Sequence, residues 1–333
     1  MNKASVVLIT IFTSTLLNIK SAAAQNVFHW KWRLEENSIK ITGRIDNGEE
    51  KEVITDAVIA KKKFNLLYKI IDEIEYKEFK NYLRTRDTLS HELVLPFQKY
   101  ISQSQSIIIE IDSSLLRLPI EFLNLQNQSI ATVKPLLFTI NHFVPAAGSD
   151  SVRLRKGYIV RDPTSDPENA CRTTLKKYPA SIFKSAYKIT ANDLVKKPGI
   201  DFILISAHGD ADSISLRGGI ALNKIENVAG IFFKENNPKV VYIDGCQQGI
   251  NWTYIGALAQ TPEANFYLGP VISNDSGESS TKTINWFFDY LKEVNNPYKA
   301  LWKTRIKLYK HYNKKINRMD VINKSLIFRI YKV

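Results

Sequence analysis

Apolar and polar positions alternate or cluster along this chain in short, readable runs. Residues 27–45 alternate, with Phe28, Trp30 and Trp32 on one face. Ile39, Ile41 and Ile45 follow a Glu36-Asn37 turn. Period-two alternation about a tight turn predicts a β-hairpin, its tryptophans packed in the core or at an edge. Ala60, Phe64, Leu67, Ile71 and Ile74 then recur at intervals of four and three, which places them on one helical face. Lys61, Lys62 and Lys63 lie away from that face, in water. A second helix is predicted around Leu93, Phe97, Tyr100 and Ile101, with Pro96 near its start or kinking it.

Further on, the apolar runs at 107–111, 136–144, 157–160, 202–206, 240–244 and 266–272 read as buried strands. Helical patterns at 189–195, 225–234, 255–259, 281–293 and 297–312 lie between or after them. Residues 326–331 read as a returning edge strand. Strands alternating with helices give an α/β fold with a mostly parallel central sheet flanked by helices. A small hairpin and helix module precedes it.

Two of these runs end in reactive side chains. FILISAHGD at 202–210 carries His208 just past its strand, and KVVYIDGCQQG at 239–249 carries Cys246 just past its own. The intervening span has room for a crossover helix, so the two strands form a parallel βαβ unit. As neighbours about 5 Å apart, they bring imidazole and thiol to one carboxyl edge of the sheet. That suits nucleophilic catalysis by a thiolate beside a proton carrier. A site between a strand and a helix start favours the anion. Gly245 and Gly249 allow the turn and a close backbone approach. The polar loop SNDSGESS at 273–280 falls on the same edge, with Asp275 and Ser276 candidates for lining a groove.

SAHGD and DGCQQG resemble the His-Gly and Asp-x-Cys-x-x-Gly motifs of caspase-like cysteine peptidases. IDSSLLRLPIEFL at 111–123 resembles the strand, turn and Leu-Pro signature of the CHAT family in that clan, and NPYKALWKTRIKLYK resembles its closing helix. The resemblance covers the chain from about residue 88. It implies a caspase-like CHAT domain at 88–333 behind an N-terminal module at 25–87. It implies a cysteine endopeptidase, with Cys246 as nucleophile and His208 as acid–base partner. The N–H groups of Gly209 and Cys246 would form the oxyanion hole. Asp244 would line the S1 pocket and select Arg or Lys. Two alternatives stand beside this reading. One is an inactive CHAT scaffold that binds a protein partner. The other is a basic protein that binds anionic surfaces.

Composition narrows the field. The chain has 333 residues, 44% of them hydrophobic, and a net charge of +13. That is enough apolar material for a large core and argues against disorder. The charge alone is weak evidence for nucleic acid, since no zinc-finger spacing or aromatic RNA-binding signature accompanies it. Residues 303–332 hold ten bases against one acid, which keeps a membrane surface as a lesser alternative. Two cysteines, Cys171 and Cys246, are too few for a disulfide scaffold or structural zinc site. No phosphate-binding glycine loop is visible, so no cofactor or metal is expected. The expected partner is a protein or peptide substrate, and any regulator would be a separate chain. Residues 1–24 read as a signal peptide: Lys3, an apolar stretch at 6–17, then Ala22-Ala23-Ala24. This implies export, periplasmic or extracellular; without it the protein would be cytoplasmic. In an oxidising compartment Cys171 and Cys246 could pair and block the nucleophile.

Overall fold

A computed structural model describes residues 26–46, 48–72, 78–141, 143, 149–189, 191–194, 197, 199–209, 214–215, 232–261, 266–314 and 318–333. The predicted signal peptide, Ile74, Asp210 and residues 225–231 of the predicted crossover helix lie outside the described residues. Residues 232–236 are helical.

The hairpin forms as its alternation predicts. β1 (Val27–Glu35) pairs antiparallel with β2 (Ser38–Ile45), Trp32 opposite Ile41. β3 (Lys51–Asp56) adds antiparallel to β2. Helix α1 (Ala57–Asp72) starts where the Asp56 carboxylate accepts the Ile59 N–H at 2.8 Å, an N-cap arrangement. It buries Ala60, Phe64, Leu67 and Ile71, and Phe64 meets Trp32 edge-on. The helix expected near Leu93 differs from prediction. α2 (Phe79–Leu93) lies before it, a 3-10 turn at Leu95–Phe97 takes Pro96, and α3 (Gln98–Gln103) follows. Proline removes one backbone donor, so the chain restarts its helix there.

β4 (Ser106–Ile111) runs parallel to β1 and carries the hairpin into the main sheet. β5 (Leu136–Ile140) lies beside β4, again parallel. The second half comprises β6 (Gly157–Arg161), β7 (Ile182–Ser185), β8 (Phe202–Ser206), β9 (Val240–Asp244) and β10 (Phe266–Pro270). All five are parallel, in the order β10-β9-β8-β6-β7.

The strand expected at the edge is central. β11 (Phe328–Lys332) sits between β5 and β10, parallel to the first and antiparallel to the second. Among the described residues the sheet has eleven strands, ordered β3-β2-β1-β4-β5-β11-β10-β9-β8-β6-β7. Arg329 lies on this central strand, and its side chain is fully buried. Its Nη2 donates to Glu121 Oε2 and to Leu118 O, both at 2.7 Å, and Nη1 donates to Leu116 O at 2.7 Å. The Leu-Pro segment thus wraps the guanidinium and supplies its counter-charge.

Helices cover both faces of the second half, as continuous apolar strands require. α4 (Ala170–Lys177) and α6 (Glu278–Val294) take one face, where Phe288 packs on Phe202 and Tyr242. α5 (Trp252–Ala259) and residues 232–236 take the other, through Tyr254 on Phe233. α7 (Pro297–Tyr312) and α8 (Arg318–Ser325) follow. Several bases of the 303–332 stretch are neutralised: Lys303 by Glu293, Lys324 by Asp275 and Lys332 by Asp150. Arg305 is buried like Arg329, and burial pulls it down to about 10. No helix among the described residues is long and apolar enough to cross a membrane.

Candidate active site

β8 and β9 are neighbours with Ser206 opposite Asp244, so His208 and Cys246 leave the sheet at matching positions. The loops after β6 and β10 reach the same edge. From β6 the chain steps outward to β7 and returns to β8, which makes this a switch point, where α/β sheets open a crevice. A depression of about 60 Å³ lies there, lined by Ser165, His208, Asp244, Cys246, Asn274 and Ser276 among others. The two predicted reactive side chains therefore share one small hollow. Its size suits a few waters.

Cys246 sits on a tight turn. Gln247, next to it, takes a left-handed φ of 58°, a conformation few side-chain-bearing residues adopt. Gly249 presses against β10, where a Cβ would stand 2.4 Å from the Gly269 carbonyl oxygen. The close approach foreseen for Gly249 is thus present. Asn274 holds the sulfur from the facing loop. Its N–H donates to Sγ at 3.4 Å, and the thiol donates back to its carbonyl at 3.7 Å. Burial pushes the Cys246 thiol up, with Asp244 and Asp72 adding to the effect and the Asn274 N–H opposing it. The expected stabilisation of the thiolate is outweighed here by desolvation.

His208 is exposed, and its Nε2 lies 2.9 Å from Thr164 Oγ1, on the loop after β6. No hydrogen bond joins His208 to Cys246 among the described residues. His208–Gly209 pairs antiparallel with Ile214–Ser215. The Gly209 nitrogen stays close to the Cys246 turn, 3.7 Å from where a Cβ on Gly245 would lie.

Asp244 is buried between the strand ends. Its carboxylate accepts from Ser206 Oγ at 2.8 Å, Ser280 Oγ at 2.6 Å and Asn274 Nδ2 at 2.7 Å. A carboxylate has about four acceptor positions, so these donors leave room for roughly one more. Burial pushes it up to about 6, partly offset by those donors.

Of the two loop candidates, Ser276 lines the hollow, whereas Asp275 turns to Lys324 at 3.0 Å. Thr164, Asn274 and Ser280 were not foreseen as site residues. They are small polar groups with no periodic signature; only the place of Thr164 and Asn274 on loops after parallel strands, and of Ser280 in the first turn of α6, could have pointed to them. Both cysteines are free. Cys171 is buried in α4 and donates to Val160 O at 3.7 Å. The N-terminal module also reaches the rim, where Asp72 of α1 accepts the Ser273 N–H at 2.9 Å. No group of three or more His, Cys, Asp or Glu side chains among the described residues could hold a metal ion. Compared with known families and with curated proteins, the chain matches none.

Proposed function

We propose that the protein is a cysteine endopeptidase of caspase-like, CHAT type, cleaving after Arg or Lys. One observation carries the reading: His208 and Cys246 leave adjacent parallel strands at one edge and line the same hollow as Asp244. In the proposed reaction His208 accepts the thiol proton as Cys246 Sγ attacks the peptide carbonyl carbon. The negative charge passes to the carbonyl oxygen, facing the N–H groups of Gly209 and Cys246. The C–N bond then breaks, and the amine leaves with the proton from His208. Water, deprotonated by His208, attacks the thioester; the acid departs and the thiol is restored. A basic P1 side chain would take the remaining acceptor position of Asp244 in a charge-assisted pair. The hollow has to widen to admit it.

Fluorogenic peptides with Arg, Lys, Asp or Leu at P1 test this on wild type and Cys246→Ala. Cleavage after Arg and Lys by wild type alone is expected. Equal background from both proteins would remove the enzyme. Asp244→Ala should lose the basic preference while staying folded; unchanged cleavage after Arg would remove the pocket assignment.

A second reading, a non-catalytic scaffold that binds a protein partner, is favoured by the missing His208–Cys246 hydrogen bond and the raised thiol. The same peptide panel separates it from the first. Export, a membrane-surface role for the basic stretch and a separate regulatory chain stay proposals of lower rank.

A further inference from the structure

We propose that Asp162 and Thr164 form a positioning pair that fixes the tautomer and ring orientation of His208, leaving Nδ1 as its basic nitrogen. This rests on the reading of His208 as proton carrier and names what holds it in that role.

The argument is one of counting protons. Asp162 follows β6 and is fully buried. Its Oδ1 accepts both the N–H of Thr164 at 2.8 Å and the Thr164 hydroxyl at 2.7 Å. A hydroxyl has one proton to give, and here it goes to Asp162. Toward His208 Nε2, 2.9 Å away, the Thr164 oxygen is left only to accept. Nε2 therefore carries the hydrogen. In neutral imidazole the other nitrogen, Nδ1, then holds the lone pair.

The pair is anchored to the strand that delivers the histidine. The Asp162 N–H donates to Ser206 O, at the end of β8, at 2.8 Å. Its carbonyl accepts from Ser165 at 3.1 Å and Asp166 at 2.9 Å, which closes the loop. Thr164 and His208 therefore share one frame. Among the described residues, Asp162 Oδ2 has no hydrogen-bond partner. Burying a carboxylate with one oxygen unsatisfied is costly, and among the described residues its side-chain hydrogen bonds go to Thr164. An exposed threonine needs no such anchor for packing. A hydroxyl aimed at a working imidazole does.

The test uses the full chain labelled with 15N-histidine. The chain has five histidines, and a His208→Gln spectrum assigns the signal of interest. Ring-nitrogen shifts of wild type and Thr164→Ser should report the Nε2–H tautomer of His208. Thr164→Val should report a mixture, with an unchanged circular dichroism spectrum. An Nδ1–H tautomer in wild type, or an unchanged tautomer in Thr164→Val, would overturn the pair. On cleaved peptides Thr164→Val should lower kcat about 10- to 100-fold at constant KM, the usual effect of losing an orienting partner, with Thr164→Ser restoring it. Equal kcat in all three proteins would also overturn it. If no peptide is cut by any protein, the peptidase reading fails, and the tautomer result still decides for or against the pair.

Discussion

Asp244 binds its proton more tightly in the folded protein than in the unfolded chain, because burial removes water from its carboxylate. Its contribution to stability is therefore complete below the ordinary value of 3.8 and is lost as pH rises through about 6. The difference corresponds to about 3 kcal/mol. Urea unfolding of wild type and Asp244→Asn should show the stability gap shifting by that order in favour of wild type between about pH 7 and about pH 4. A constant gap would mean that Asp244 does not titrate in this window. Cys246 offers a second measurement at the same scale. Its thiol lies above the ordinary value of 9.0, so alkylation by iodoacetamide should keep rising past about pH 9 in the free protein. A plateau near neutral pH would show that the resting site already holds a thiolate.

Among the elements, the meeting of β11 with the Leu-Pro segment decides the most. Glu121 and Arg329 are both fully buried and 208 residues apart in sequence. Removing one partner leaves an uncompensated charge in the core, so Glu121→Gln should cost about 3–5 kcal/mol by urea unfolding. Replacing both with apolar residues of similar size should cost less than the sum of the single changes. The pair also marks where sequence reading stopped. The hairpin, α1 and the strands before His208 and Cys246 were legible because each carries its own apolar period. β11 was read as an edge strand; its central place depends on strands far away in sequence, and its buried arginine makes sense only beside the distant glutamate. The same holds within the site: His208 and Cys246 stand out by residue type and position, while Thr164 and Asn274 gain their role only from loops brought together by the sheet.

At the scale of the whole molecule, the N-terminal module shares one sheet with the region that carries the site. β1 pairs with β4 from Val27 opposite Ser106 to Trp32 opposite Ile111, and Asp72 reaches the loop after β10. Deleting residues 1–87 would uncover Ile107, Ile109 and Ile111 and open the β4 edge. The fragment 88–333 should therefore aggregate or bind a hydrophobic dye, as light scattering and dye fluorescence would record. A soluble, cooperatively unfolding fragment would contradict this.

β11 follows every other described strand in chain order, yet it joins the two oppositely running halves of the sheet. During synthesis the ribosome therefore hands over β5 and β10 with their flanks bare, and neither can be sealed until this stretch emerges. The β5 border stays bare while the second half of the chain is made, and the β10 border while its last part is made, so the yield in a cell should respond to chaperone supply more steeply than finished stability would suggest.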